Sequence, residues 1–122
     1  MIDDAATIIC SAHQLIDGGS GVRFTINVGG KPQPAFVIRF GGKAHAFINF
    51  CPHLGTELDW QPGEFFDFSG LYLICATHGA LFMPDSGYCT AGPCKGRRLG
   101  RVPVAERDGT IFLTEGFTQY VE

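Results

Sequence analysis

Two short segments decide how this chain is organised: C-P-H-L-G at residues 51–55 and C-A-T-H-G at residues 75–79. Each segment offers one thiol and one imidazole, and each ends in a glycine that suits a turn. Thiolates and neutral imidazoles are the side chains that bind iron and zinc in proteins. The sequence therefore predicts one metal centre built from Cys51, His53, Cys75 and His78.

The segments resemble the ligand loops of the Rieske-type ferredoxins. The matching residues are C-P-H-L-G at 51–55, C-A-T-H-G-A-L-F at 75–82 and G-P-C at 92–94. The resemblance implies one [2Fe–2S] cluster per chain, with two thiolates on one iron and two imidazoles on the other. Cys51 and Cys75 would hold the first iron, and His53 and His78 the second.

A zinc site is the alternative use of the same four residues. Zinc sites of two cysteines and two histidines usually pair Cys with Cys and His with His, at C-x2–4-C and H-x3–5-H spacing. Here each loop is mixed, and Cys51 and His53 are only two positions apart. This spacing suits two adjacent metals better than one tetrahedral ion, so we expect the cluster.

The ligand set also predicts the direction of the reduction potential. Two thiolates bring less negative charge to the cluster than four, so imidazole ligation raises the potential to roughly −150 to +300 mV, against about −400 mV for four-thiolate plant-type clusters. High-potential respiratory relatives carry a disulfide at the positions of Thr56 and Thr77, and hydroxyl donors at those of Ala80 and Phe82. These residues cannot supply either feature, so the resemblance implies a potential low in the range.

Composition restricts the class of protein. With 122 residues, 45% apolar residues and 17 glycines, the chain suits one small domain of many short strands. The net charge of −3 gives no support for nucleic-acid binding. No apolar run is long enough for a membrane span, and the first residues lack a signal-peptide pattern. Free thiols then favour the cytoplasm.

Strand patterns dominate the sequence. Residues 22–28 alternate apolar and polar positions, and apolar segments at 35–40 and 44–50 flank a Gly41-Gly42 turn typical of a hairpin. A second hairpin is predicted around Asp108-Gly109, between strands at 101–104 and 110–114. We expect an all-β fold, an antiparallel sandwich or open barrel.

The Rieske resemblance also implies that the fold is divided into two parts. It implies a cluster-binding subdomain at about residues 50–96, inserted in a base formed by about residues 5–49 and 97–116.

Several residues leave alternatives open. The aromatic residues Trp60, Phe65, Phe66 and Phe68 could pack a small core around the cluster or form a patch for partner docking or dimerisation. Cys89 and Cys94 could be buried thiols or a local disulfide, and we expect thiols. His13 and His45 lie in no site motif, and a structural or surface role is expected for both.

The resemblance implies an electron carrier and not an enzyme. Such ferredoxins take one electron from a flavoprotein reductase and pass it to a terminal oxygenase or another redox enzyme. The alternative is a small Rieske subunit of a larger oxidoreductase complex, either nitrite-reductase-like or an oxygenase. A complete oxygenase would need a further iron site with two histidines and a carboxylate, and only His13 and His45 remain for it.

Overall fold

A computed structural model describes residues 7–52, 56–77 and 79–120. This part of the chain forms short strands and one turn of 3-10 helix, Ala12–Gln14, and no helix in it is long and apolar enough to cross a membrane. The predicted all-β class is confirmed. The strands are β1 Ile8–Ser11, β2 Val22–Val28, β3 Lys31–Phe40, β4 Lys43–Ile48, β5 Leu73–Ile74, β6 Leu81–Phe82, β7 Cys89–Ala91, β8 Arg101–Val102, β9 Val104–Arg107 and β10 Thr110–Leu113.

The strands form three antiparallel sheets. A central sheet has the order β2-β3-β4-β8, a second sheet has the order β1-β10-β9, and a small third sheet has the order β5-β6-β7. The second sheet joins the two ends of the described chain, because β1 pairs with β10. The small sheet lies within the segment predicted to be inserted, whose boundaries of about 50 and 96 stay a prediction.

The central strands β3 and β4 are buried on both faces. Phe36 pairs with Phe47 and points to one core, while the neighbouring pair Val37 and Ala46 points to the other. Successive side chains of a strand lie on opposite faces, so one strand pair can supply both cores. Residues 35–38 are accordingly all apolar and fully buried.

The fold has two hydrophobic cores, one on each face of the central sheet. The base core lies between the central sheet and the second sheet, and includes Ile26, Val37 and Ile111. The loop-side core lies on the opposite face of the central sheet. It contains both motif cysteines together with the following apolar side chains: Phe36, Phe47, Leu58, Phe65, Leu73, Phe82 and Leu99.

Paired glycines close the two hairpins of the central sheet. Gly41 and Gly42 have φ angles of +62° and +80°, as a primed turn requires, so this predicted hairpin is confirmed. Gly29 and Gly30 make a similar turn at +60° and +84° between β2 and β3. Strand β3 starts directly after this turn, at Lys31.

Pro103 divides the predicted strand at 101–104 between two sheets. Arg101 and Val102 pair with β4 in the central sheet, whereas β9 begins at Val104 and pairs with β10. Pro103 has no N–H to donate to a ladder, so a change of partner at this residue loses no hydrogen bond. The hairpin predicted around Asp108-Gly109 is confirmed between β9 and β10.

The two histidines outside the motifs lie on the 3-10 helix and on β4. His13 is exposed on the 3-10 helix. His45 is half-buried on β4 and lines a cavity of about 440 Å³ with Arg101 and Glu115. Burial, and then the Arg101 guanidinium, lower the pKa of His45 below its ordinary value.

Candidate metal centre

Two strands deliver the motif cysteines into the loop-side core. Cys51 follows three residues after the end of β4, and Cys75 follows β5 directly. Both thiols are fully buried. His53 and His78 lie outside the described residues, so the imidazole half of the predicted ligand set stays a prediction.

The two cysteine loops are closed in the same way. The N–H of Cys51 donates to the carbonyl of Thr56 at 2.7 Å, and the N–H of Cys75 donates to the carbonyl of Ala80 at 2.9 Å. Each bond spans five residues and fixes the cysteine backbone at the base of its loop. The Ala76 N–H donates to the Leu58 carbonyl at 3.0 Å, which ties the second loop to the chain after the first.

A third loop, at residues 92–97 after β7, lies against both cysteine loops. The Arg97 guanidinium donates to the Pro52 carbonyl at 3.1 Å, which connects the third loop to the first. Gly92 lies so close to Ala80 that a Cβ at Gly92 would stand 2.8 Å from the Ala80 Cα. With a φ of +99° as well, this position requires glycine. The G-P-C segment at 92–94 therefore packs directly against the second loop.

A buried polar network braces the first loop. Asn49 is fully buried and accepts the Leu58 N–H at 2.8 Å, while its amide donates to Asp59 at 3.3 Å. Asp59 also accepts the Gly63 N–H at 3.1 Å and lies 3.6 Å from the Arg23 guanidinium. The sequence alone gave no sign of this network beyond the place of Asn49 two residues before Cys51.

Asp59 is buried and is not a surface charge. Its side chain is only 3% exposed, because Asn49, Gly63 and Arg23 surround the carboxylate. Glu57 is the acidic residue of this region that solvent reaches: its side chain is 47% exposed and pairs with Arg23 at 2.7 Å.

Cys89 and Cys94 are buried thiols and do not form a disulfide. Their sulfur atoms are 3.0 Å apart, in hydrogen-bond contact, and the Cys94 thiol also contacts the sulfur of Cys51. Burial is the main cause that raises the pKa of Cys94 to about 12, and the neighbouring sulfur atoms add to it. The expectation of thiols in place of a disulfide agrees with the structure.

The four positions expected to carry a disulfide and hydroxyl donors in high-potential relatives hold Thr56, Thr77, Ala80 and Phe82 here. Ala80 and Phe82 are fully buried and have no hydroxyl. The Thr56 hydroxyl is buried and has no hydrogen-bond partner among the described residues. Thr77 is exposed on the second loop.

The aromatic segment is divided between the core and the surface. Phe65 is fully buried and stacks on Phe36 at a centroid distance of 3.9 Å, and Phe66 is nearly buried as well. Trp60 is 47% exposed and Phe68 is fully exposed. These two flank an apolar groove of about 210 Å³ that reaches Ala76 on the second cysteine loop.

The described residues fit a bound iron–sulfur cluster. Two thiolates buried without compensating charge would be costly, and Asn49 is the only fully buried polar residue in the described part of the chain. An oxidised [2Fe–2S] core carries a formal charge of +2, so two thiolates and two neutral imidazoles leave a neutral unit. The Cys51 and Cys75 thiols would supply the thiolate half of that set.

Comparisons with known proteins agree with this site. A family model described as the Rieske [2Fe-2S] domain matches residues 5–106. No curated protein sequence gives a match.

Solved structures of ferredoxins from dioxygenase systems share the fold. The ferredoxin of carbazole 1,9a-dioxygenase from Nocardioides aromaticivorans IC177 matches with a TM-score of 0.67 at 23% identity, covering 88% of this chain and 94% of that one. A complex of reduced oxygenase and oxidized ferredoxin in carbazole 1,9a-dioxygenase contains a chain that matches at 0.69 and 25%, covering 88% and 99%.

An oxygenase also contains this fold as one part. The terminal oxygenase of carbazole 1,9a-dioxygenase from Novosphingobium sp. KA1 matches with a TM-score of 0.71 at 20% identity. The alignment covers 95% of this chain but only 30% of the oxygenase chain. Most of that oxygenase therefore has no counterpart in the 122 residues.

The bracing role of Asn49 can be tested by truncation. Asn49→Ala leaves the buried Leu58 N–H without an acceptor, which should lower the free energy of unfolding by about 1–3 kcal/mol. Iron loss on mild heating should also become faster, because Leu58 and Asp59 follow the first loop. Thermal unfolding and absorbance of the cluster measure both effects.

Asn27→Ala is the matched control, because Asn27 accepts one backbone N–H, from Gly30, in a surface hairpin. It should cost less stability and leave iron loss unchanged. Equal iron loss in the two variants would contradict a specific role for Asn49.

Proposed function

Because the chain belongs to the Rieske [2Fe–2S] domain family, we propose that Cys51, His53, Cys75 and His78 are the ligands of its one cluster. Proteins of this family bind a [2Fe–2S] cluster, which accepts and releases one electron. Supporting this ligand set, both cysteines are buried at the base of loops closed by the same backbone bond. The histidine positions 53 and 78 lie inside these two loops.

The proposed activity is one-electron transfer from a flavoprotein reductase to a terminal oxygenase. The observation that carries this proposal is the extent of the structural match. The chain corresponds to 94% of one dioxygenase ferredoxin and to 99% of a chain in an oxygenase–ferredoxin complex. A carrier needs only the cluster and a surface through which electrons pass, and a domain of this size supplies both.

The cluster edge nearest the surface is the proposed point of transfer. Ala76, Thr77 and Gly79, which flank His78, are all exposed. Electron-transfer contacts are usually small and transient, so a partner would dock over this loop tip. The electron would enter and leave through the imidazole-bound iron, because thiolates stabilise the ferric state of the other iron.

A role as the Rieske subunit of a larger oxidoreductase is the second candidate. The fold match to a terminal oxygenase, with a TM-score of 0.71, favours it. In that case the protein would copurify with a catalytic subunit in a fixed ratio, whereas a carrier would meet its partners only transiently.

We also place the carrier in the cytoplasm. None of the five cysteines, all of which the structure describes, forms a disulfide, as expected in a reducing compartment.

The ligand assignment predicts two irons and two acid-labile sulfides per chain. Anaerobically purified protein provides this measurement, and one zinc without sulfide would refute the cluster. Replacing His53 or His78 with Ala should abolish or severely damage the Rieske absorption and EPR spectra, since each substitution removes one of the two imidazole ligands of the same iron. Single replacement of Cys10 or Cys89 should leave the iron content unchanged, and iron loss in either variant would contradict the ligand set.

The carrier role predicts that the purified protein relays electrons between a flavin reductase and a ring-hydroxylating oxygenase. Omitting it from the mixture should stop the coupled oxidation of NADH and aromatic substrate. Stopped-flow absorbance of the cluster should show reduction by the reductase and reoxidation by the oxygenase. A protein that remains bound to one catalytic subunit, and relays nothing when separated from it, would support the subunit role.

Two acidic residues offer a matched test of where the partner docks. Glu57 pairs with Arg23 near the first loop, and Glu106 pairs with Arg39 on the base at 2.9 Å. In the relay assay Glu57→Lys should change the transfer rate more than Glu106→Lys, with the cluster spectrum unchanged in both. Equal effects would exclude docking over the loop tip.

We propose a reduction potential low in the range of about −150 to +300 mV. Hydrogen bonds to the sulfur atoms stabilise the more negative reduced cluster and raise its potential. Ala80→Ser and Phe82→Tyr each add a donor at a buried position, so voltammetry should show a rise in each variant and the largest rise in the double variant. A wild-type value at the high end of the range, or no rise in the double variant, would refute this explanation.

A further inference from the structure

Cys94 places a third thiol beside a proposed ligand. Its side chain is only 1% exposed. Its S–H donates to the Cys89 sulfur at 3.0 Å, and the Cys51 thiol is a second hydrogen-bond neighbour. It belongs to the third loop and not to either ligand loop. The proposed ligand set leaves this thiol without a role.

Backbone bonds hold Cys94 in this position. The Arg97 N–H donates to the Cys94 carbonyl at 2.9 Å, and the Cys89 N–H donates to the Arg97 carbonyl at 2.8 Å. The close approach of Gly92 to Ala80 and the bond from Arg97 to the Pro52 carbonyl then fix the loop against both cysteine loops. The Cys94 thiol therefore cannot move away from Cys51 without displacing the third loop.

The Cys94 thiol has one proton and two sulfur neighbours. Cys89 directs its own S–H to the Ala91 carbonyl at 3.3 Å, so its sulfur remains a neutral and weak acceptor. A ligand thiolate at Cys51 carries negative charge, and hydrogen bonds to charged acceptors are the stronger ones. The Cys94 proton should then be shared with Cys51.

We propose that Cys94 is a positioning residue whose S–H donates to the Cys51 ligand sulfur and raises the reduction potential of the cluster. The inference rests on the proposed ligand set. Cys94 would thus supply, from the third loop, a hydrogen-bond donor to a ligand sulfur, which Ala80 and Phe82 cannot supply because they have no hydroxyl. Because S–H is a weak donor, the bond should moderate the low potential without moving it to the high end of the family range.

Two substitutions separate the hydrogen bond from the packing. Cys94→Ala removes the donor and leaves a small cavity, whereas Cys94→Ser has nearly the same size as Ala but restores an O–H donor. Voltammetry should show a lower potential in Cys94→Ala than in wild type, and a higher potential in Cys94→Ser than in Cys94→Ala. Cys10→Ala is the matched control, because Cys10 is a buried cysteine of the base core. The reduction potential of the cluster in this variant should equal that of wild type.

Resonance Raman spectroscopy supplies a readout on the wild-type protein itself. Exchange into D2O should shift the Fe–S(Cys) stretching frequencies, and Cys94→Ala should lose part of that shift. If Cys94→Ala does not fold, Cys94→Val replaces it as the variant without a donor, again compared with Cys94→Ser.

The outcomes distinguish this inference from the proposed function. An unchanged potential in Cys94→Ala, or equal potentials in Cys94→Ala and Cys94→Ser, would overturn the donor role while the cluster remains intact. A wild-type protein without iron and sulfide would instead refute the proposed ligand set.

Discussion

Burial of both faces of the β3–β4 pair is the constraint on which the rest of the structure depends. The Phe36–Phe47 pair faces the cysteine loops, and the neighbouring Val37–Ala46 pair faces the base. A slip of one residue in either strand would exchange the two sets of side chains and place phenylalanine in the space of alanine. The register is therefore fixed by the size of the side chains on both faces, and with it the position at which β4 ends.

The site is assembled at the end of β4 and over the loop-side face of the central sheet. β4 ends shortly before Cys51, and the stacking of Phe65 on Phe36 holds the aromatic segment against the same face. The second cysteine loop is then attached to the first through the bond from Ala76 to Leu58, and the third loop closes over both. Both cysteines are held by backbone atoms, so their positions depend little on the mobility of side chains.

Electrostatics explains why such a site suits a one-electron carrier. The loop-side core consists of apolar side chains and thiols, with Asn49 as the one fully buried polar residue among those the structure describes. A neutral oxidised cluster is tolerated there, and reduction adds a single negative charge whose stabilisation depends on few hydrogen bonds. Small changes in the donors around the sulfur atoms should therefore have a measurable effect on the potential, which is how the family can tune one fold for different partners.

The sequence by itself determined the family, the all-β class and the hairpins at Gly41-Gly42 and Asp108-Gly109. These depend on residues close together in the chain, such as the C-P-H and C-A-T-H segments and the Gly41-Gly42 pair. Only the tertiary structure decided the burial of Asp59, the division of the aromatic segment between core and surface, the change of sheet at Pro103 and the contact of Cys94 with Cys51. Each of these depends on contacts between residues far apart in sequence, and no local pattern of polarity or turn residues encodes which distant segments will meet.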